Sequence, residues 1–577
     1  MSPYNAPLND IAFALRHIAG LDELAEIPAW SDIGLDHTED LLAEAGRLAT
    51  EVIAPSNRAG DQTGSVLNDN GEVVTPDGFR QAYQQFINGG WTAVSADPEH
   101  GGAGFPLVVD VAIQEMVTSA NMAFSLCPML SQSAIGALSA HGSPEQQHRW
   151  LPSLISGIWS GTMLLTEPQA GSDVGALTTR AEPQADGTYR LWGQKIFITW
   201  GEHDMAENIV HCVLARTPDA PVGTRGISLF IVPKMLVDDH GALGERNAIR
   251  CIGLEHKVGI HGSPTCVMEL DGAVGELVGE ENEGMPQMFT MMNKARLLVG
   301  LEGLAVAERA YQQAAAFAAE RRQGRRSDTE PGVQAPIHQH PDVRRMLLDM
   351  RARTEAMRGL LYLNAAAADQ ASGHPDPAHR QQARHRAELL TPVSKAWCTD
   401  QGVEVASLGI QVHGGMGYIE ETGAAQHWRD SRIAPIYEGT NGIQAIDLVA
   451  RKLPVDNGAP LAALLEEMTG LDKNLDQAVG AIAEAARWLG EHPGDDALAG
   501  ATPFLQMLGL TVGGWVMARA GDTASRLEAA GRLEAAGPQQ ADFWRAKQVS
   551  SRFYLDQILP TAPALLPAVT SGASALG

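Results

Sequence analysis

Glu438 lies in the run Ile436-Tyr437-Glu438-Gly439-Thr440-Asn441. A carboxylate between an aromatic ring and a glycine can act as a general base once it is desolvated. An isolated Glu before Gly-Thr is by default a helix-start carboxylate in a loop. A second run is Leu165-Thr166-Glu167-Pro168-Gln169-Ala170-Gly171-Ser172-Asp173. Ser172 follows Ala170-Gly171, where a tight backbone leaves N–H groups free for phosphate oxygens; a plain turn serine is the simpler reading. Glu320-Arg321-Arg322-Gln323-Gly324 is a basic cluster at a helix end, a place where cations commonly compensate the helix dipole. Asn293-Lys294-Ala295-Arg296 adds an amide and two cations. Thr166, Phe197 and Thr199, each taken alone, read as ordinary strand residues.

Other chemistries find less support. His338, His340 and His413 form no metal-ligand pattern with an acidic partner, so no metal is expected. His17 and His141 carry no signal above background. The five cysteines are scattered and never spaced C-x-x-C, which argues against a disulfide framework and a structural zinc site. Cys212 and Cys266 fall in apolar runs and read as inert core thiols. The net charge of −27 repels phosphate backbones and anionic lipid, so nucleic acid and membrane partners are not expected. The amino-terminal residues lack a basic region followed by an apolar run. No apolar stretch appears long enough to span a bilayer, and a cytoplasmic location is expected.

The elements that must position these residues come in four blocks. At 577 residues and 44% hydrophobic composition, the chain is long enough for two to four domains. Asp36 to Val52 and Val108 to Met122 space apolar residues at helical intervals, and Gly101-Gly102-Ala103-Gly104 reads as a loop. From Trp159 the texture changes to short β-branched or aromatic runs separated by Gly, Pro and Asp, which predicts a compact antiparallel barrel or sandwich. At about Gly284 the helical pattern returns, with Leu297, Leu301, Leu304, Ala307 and Tyr311 on one face. Val343 to Ala367 and Val393 to Leu408 continue in the same style. Pro454 to Pro460 reads as a linker into a further Ala-rich helical segment. RLEAAG occurs twice in tandem, Arg526 to Gly531 and Arg532 to Gly537, as a local duplication too short for a solenoid.

Set in this order, the runs match one family together. Leu165 to Asp173 resembles the T-E-P-x-A-G-S-D signature of acyl-CoA dehydrogenases, at the passage from helices to strands. Lys195-Ile196-Phe197-Ile198-Thr199 resembles that family's flavin-facing strand. Gln411-Val412-His413-Gly414-Gly415-Met416-Gly417-Tyr418 resembles its Q-x-x-G-G-x-G-[FY] turn. Arg429-Asp430 and Ile436 to Asn441 resemble its R-D…I-Y-E-G-T signature. The resemblance covers roughly Leu41 to Lys452. It implies an α+β fold with an N-terminal helical domain (1–158), a central antiparallel β domain (159–283), a C-terminal helical bundle (284–453) and an additional helical domain (454–577).

It also implies the chemistry: FAD-dependent α,β-dehydrogenation of an acyl-CoA thioester, with Glu438 as the base. The thioester oxygen would accept hydrogen bonds from a flavin ribityl hydroxyl and from the Glu438 N–H. Leu165, Thr166, Ser172, Phe197, Thr199, Arg321, Gln323, Gln411, Gly414, Gly415 and Thr440 would contact FAD. Arg321 and Gln323 would do so across a dimer interface. Ser172, Asn293, Arg296, Tyr437 and Gly439 would contact the acyl-CoA. Asn293 stands where relatives frequently have Asp, and Gly442 where many have Gln, so no side-chain role transfers to Gly442.

The extra carboxyl-terminal segment, the amino-terminal extension and the run Leu254 to Cys266 resemble a large bacterial subgroup of the family. Its substrates include 3-methylmercaptopropionyl-CoA, from dimethylsulfoniopropionate breakdown, and straight-chain acyl-CoAs. The thioether substrate is favoured, with the straight-chain one as the alternative. A thioether and a methylene differ little to a pocket wall, and Met122 and Met129 could line that wall or simply fill the core. The extra domain predicts a homodimer, and electron-transfer flavoprotein is the expected electron acceptor. A catalytically silent assembly factor is the reading from another class; Glu438, Arg296 and the flavin-contacting threonines speak against it.

Overall fold

The computed structural model describes residues 3–31, 35–238, 241–325 and 333–577. The chain divides into two compact units, one of Ala45–Phe105 with Ala120–Leu298 and one of Met1–Glu44, Pro106–Ser119 and Val299–Gly577.

The first unit is built on a seven-stranded sheet. Its order is Trp159–Leu164, Asn208–Ala215, Ser228–Pro233, Thr265–Leu277, Tyr189–Thr199 and Arg180–Pro183, with Ile249–Leu254 also pairing Thr265–Leu277. The pairings are antiparallel except that of Trp159–Leu164 with Asn208–Ala215, which is parallel. Asn208–Ala215 and Ser228–Pro233 are buried at every position, as continuous apolar runs covered on both faces should be. One face packs Val210, Cys212 and Leu229 against Ala134, Trp150 and Leu154 of the helices. The other buries Leu191, Ile198, Phe230, Cys266 and Met268. Burial pushes the Cys212 thiol up to about 12, which leaves it an inert core thiol.

Two expectations change. The helix predicted from Val108 to Met122 ends at Ala120. Asn121 then accepts a hydrogen bond from Phe124 N at 3.1 Å and caps the next helix, Met122–His141. By length and composition this 20-residue helix is apolar enough to cross a membrane, contrary to the reading that no such stretch exists. However, 89% of its most apolar window is buried, so its apolar character serves the core. A small hairpin, Val66–Leu67 with Val73–Val74, also interrupts the amino-terminal helices.

The second unit is helical. Its longest elements are Pro341–Gly373, Pro377–His413 and Ala501–Leu527, with the Val299-to-Glu320 part of the Gly284–Glu320 helix. Arg358 is buried among acids: its guanidinium donates to Glu115 at 2.6 and 2.9 Å and to Glu308 at 2.8 Å. Tyr362 completes the cluster by donating to Glu115 at 2.7 Å. Buried charges persist only when paired this fully. Lys547 lies 2.5 Å from Asp10 and 3.3 Å from Glu355, tying the carboxyl-terminal helices to the amino-terminal segment and to Pro341–Gly373. Both RLEAAG copies run through helix, from the end of Ala501–Leu527 into Leu533–Phe553.

The Gly284–Glu320 and Pro377–His413 helices meet backbone to backbone. A Cβ on Gly303 would lie 2.2 Å from the Cys398 carbonyl oxygen, and one on Gly402 would lie 2.6 Å from that of Gly303. Glycine at both positions lets the two backbones approach this closely.

Candidate active site

In the helical unit the base candidate sits on a loop hung from two helices. Glu438 has φ 56° and Gly439 φ 83°, so the backbone turns left-handed at the carboxylate itself. For a non-glycine residue this costs roughly 1–3 kcal/mol and persists only where the surroundings over-determine it. They do so here. On one side of Glu438, the Tyr437 hydroxyl lies 2.6 and 2.5 Å from the two carboxyl oxygens of Glu302. On the other side, Asn441 binds the Pro377–His413 helix through its whole amide. Its Oδ1 accepts from Lys395 Nζ at 2.9 Å, and its Nδ2 donates to Ala396 O at 3.1 Å, Thr399 Oγ1 at 3.0 Å and Asp400 Oδ1 at 2.7 Å. Thr440 caps the following helix by accepting from Ile443 N at 3.2 Å, and Gln444 Nε2 donates to the Glu438 carbonyl at 3.3 Å.

Glu302 is 1% exposed. Burial pushes its carboxyl up to about 8 and the Glu438 charge adds to the rise, while the Tyr437 hydrogen bond and the Lys395 charge act against it. Tyr437 is likewise raised well above an ordinary phenol by burial, then by Glu302 and Glu438.

Further expected residues of this unit lie exposed at the carboxyl-terminal ends of the Pro377–His413 and Gly284–Glu320 helices. Gly414, at φ 59°, stops the Pro377–His413 helix, and neither it nor Gly415 has an atom within 4 Å of a built Cβ. The backbone there is open to a close-lying ligand. Gln411 is exposed beside them. Arg321 donates to Gln323 Oε1 at 2.9 Å, and both are exposed. His340 holds the Gln323 carbonyl at 2.7 Å, and His413 stacks on Phe317 at 4.5 Å while bonding Gly409 O.

In the β unit a buried ion pair shapes the second group. Glu167 accepts from Lys195 Nζ at 2.9 Å, from Thr179 Oγ1 at 2.6 Å and Thr179 N at 3.0 Å, and from Thr178 N at 2.7 Å and Thr178 Oγ1 at 2.9 Å. Lys195 also donates to the Leu165 carbonyl at 2.9 Å. Burial alone would raise the Glu167 carboxyl, but the Lys195 charge and these hydrogen bonds hold it at about 2. For Lys195, burial dominates and lowers the amine to about 8 despite the Glu167 charge. Glu167 and Ala170 close a tight turn by two backbone bonds, which presents Gly171 and Ser172 exposed, with open space at the Gly171 Cβ position.

Thr166 O accepts from Ile196 N at 2.9 Å, joining that turn to the Tyr189–Thr199 strand. The register slips where Cys266 faces Ile198 but Met268 faces Lys195. This bulge puts Phe197 at φ 59° and leaves the residue 58% exposed. A large aromatic side chain held in the open at strained backbone suits a flat ring laid against it. Thr199 is half-buried beside it, its carbonyl bonded by Thr162 at 2.7 Å. Asn293 is exposed and accepts from the buried Arg296 at 3.3 Å. Among the described residues no cluster of His, Cys, Asp and Glu could hold a metal ion.

Residues 36–158, 162–273 and 282–453 match the N-terminal, middle and C-terminal domains of acyl-CoA dehydrogenase, and 449–576 match the acetyl-CoA dehydrogenase C-terminal-like domain. The chain belongs to the acyl-CoA dehydrogenase family, whose members are FAD-dependent oxidoreductases. It is 47% identical over 573 residues to 3-methylmercaptopropionyl-CoA dehydrogenase of Ruegeria pomeroyi, covering 96% of each chain. It is 33% identical to a broad-specificity linear acyl-CoA dehydrogenase of Mycobacterium tuberculosis, over 97% of this chain and 96% of that one. Its fold matches a Bacillus anthracis acyl-CoA dehydrogenase complexed with FAD, with a TM-score of 0.73, 19% identity and coverage of 95% and 93%. The α+β class, the FAD cofactor and acyl-CoA dehydrogenation thus agree with the reading of the sequence. Glu302, the Glu167–Lys195 pair and the Asn441 hub were not given roles by it.

Proposed function

We propose that Glu438 removes the α-proton of an acyl-CoA thioester, 3-methylmercaptopropionyl-CoA by preference. The observation that carries this is the left-handed backbone at Glu438, fixed on both sides by Tyr437 and Asn441. As the α C–H bond breaks, its proton goes to the Glu438 carboxylate and its electron pair forms the new C=C bond. When bound, FAD supplies the acceptor for the β-hydrogen and its two electrons. Phe197, Thr166, Thr199 and Leu165 hold the flavin ring, and Ser172, Arg321, Gln323, Gln411, Gly414, Gly415 and Thr440 hold its remaining parts. Ser172, Asn293, Arg296, Tyr437 and Gly439 hold the acyl-CoA. Positioning a weak carbon acid against a fixed carboxylate supplies much of the rate.

The thioether preference is supported by the 47% identity to the Ruegeria pomeroyi dehydrogenase. A straight-chain preference draws support from the Mycobacterium tuberculosis relative. The four-part division at 158, 283 and 453 accompanies this reading, supported by the spans of the matched domains. So do electron-transfer flavoprotein as acceptor, a cytoplasmic location and a homodimer. Met416, Tyr418 (88% exposed) and Ile419, beside Gly414 and Gly415, leave an apolar surface of the kind a second copy would cover.

Anaerobic bleaching of the bound flavin by 3-methylmercaptopropionyl-CoA, butyryl-CoA and octanoyl-CoA tests this. Glu438→Gln is expected to slow bleaching at least about a hundredfold, the usual worth of a general base. Bleaching at the wild-type rate in that variant removes Glu438 from the role. Fastest bleaching by a straight-chain thioester moves the preference to that class.

A further inference from the structure

Glu302 is a buried acid that the reaction as described does not use. It stands in an otherwise uncharged stretch, Leu297 to Ala307, of the Gly284–Glu320 helix. Its position follows from the glycine crossing at Gly303 and Gly402, which brings this helix against Pro377–His413. The charged and titratable groups acting on it are Tyr437 and Glu438 from the base loop and Lys395 from the Pro377–His413 helix. Asp400 and Arg432 lie one step further out, acting on each other and, for Asp400, on Lys395.

The geometry of the contact is informative. Both carboxyl oxygens lie within 2.6 Å of one phenol oxygen, yet a phenol has one proton to give. Two contacts this short are both satisfied when the carboxyl brings a proton of its own. Tyr437 is adjacent in sequence to Glu438, so whatever fixes its ring also fixes the turn that carries the base.

We propose that Glu302 is a positioning residue for Glu438: in its neutral form it holds the Tyr437 hydroxyl and the base turn, and in its negative form it opposes the charge that develops during proton removal. This rests on Glu438 being the base. With two acids acting on each other, the loss of protons belongs to the pair. Burial holds the last proton of the pair on Glu302. Enzyme with one proton on the pair is the active form. Loss of the second proton places a like charge beside the base and the forming enolate, and the rate falls on the alkaline side.

The test has two arms on the intact FAD-loaded protein. Infrared difference spectra of the resting enzyme, recorded between about pH 6 and about pH 10, report protonated carboxyl groups directly and require no catalysis. A carboxylic C=O band that disappears as pH rises through about 8, and is missing in Glu302→Gln, is expected. Absence of that band from the wild type overturns the proposal. The second arm is the pH profile of flavin bleaching by butyryl-CoA. The wild type should lose rate above about 8, by up to tenfold per pH unit, and Glu302→Gln should lose that limb whatever its rate at neutral pH. An unchanged limb in Glu302→Gln assigns it elsewhere, for example to the buried Lys195 at about 8, and overturns the proposal. The infrared arm stands even if Glu438→Gln bleaches normally, so failure of the base assignment is distinguishable from failure of this one.

Discussion

Glu167 in the β unit and Glu302 in the helical unit are both buried glutamates, and their surroundings drive them in opposite directions. Glu167 collects an ammonium, two hydroxyls and two backbone N–H groups from Lys195, Thr178 and Thr179. It is held as an anion, down at about 2. Glu302 has one hydroxyl against it, with another carboxylate acting nearby, and is pushed up to about 8. Burial opposes charge in both cases; the number and sign of the partners decide which carboxyl keeps its proton. One site stores a fixed charge that shapes a turn, and the other stores a proton.

The comparison is broken most forcefully at Lys195. Lys195→Ala leaves the Glu167 anion buried without its cation. Loss of about 3–5 kcal/mol is expected, read as a lowered urea midpoint, and Lys195→Arg should recover part of it. An Ala variant as stable as wild type would mean that the remaining donors, from Thr178, Thr179 and Gln169, suffice. Tyr437→Phe comes next. It removes the hydroxyl that meets Glu302 and leaves the acid buried without its hydrogen bond, at a cost of about 1–3 kcal/mol, checked by the same denaturation. Little change there would mean that Glu302 finds another partner on relaxation.

The smallest effect is in the pH dependence of stability, and the two acids give opposite signs. Glu167 has a folded-state pKa below its ordinary 4.5. Its contribution is present above 4.5 and is lost as pH falls through about 2. Glu302 has a folded-state pKa above its ordinary 4.5. Its contribution is present below 4.5 and is lost as pH rises through about 8. Urea midpoints measured across that interval should decline in the wild type and flatten in Glu302→Gln. Parallel curves for the two proteins would refute the assignment of a raised carboxyl.

The residues that could be read from sequence were those carried by local runs. Glu438, Gly414 and Ser172 stand in turns whose composition is itself the signal, and the turns appear where the runs predicted them. Glu302 was hidden for the opposite reason. Helical periodicity counts the apolar residues around it, Leu301 and Leu304, and passes over a single acid; its partner Tyr437 is 135 positions away in sequence. A lone charge inside an otherwise uncharged helical stretch was the available clue. The Glu167–Lys195 pair is similarly non-local, although both residues lie in recognised runs. The parallel pairing of Trp159–Leu164 with Asn208–Ala215 leaves no local trace, since strand texture does not encode direction. The Met122–His141 helix was underestimated because its Ser and Gln residues interrupt the apolar run while facing a buried environment.

The contact at Gly303 and Gly402 sets a hard stop. Side-chain contacts can be retuned by a change of rotamer, but two main chains already touching cannot move closer. Any larger residue at either glycine can only push the helices apart, carrying Glu302 away from Tyr437. The error at this joint therefore has one sign, and variation in the helix pair is confined to positions that leave the spacing at its lower limit.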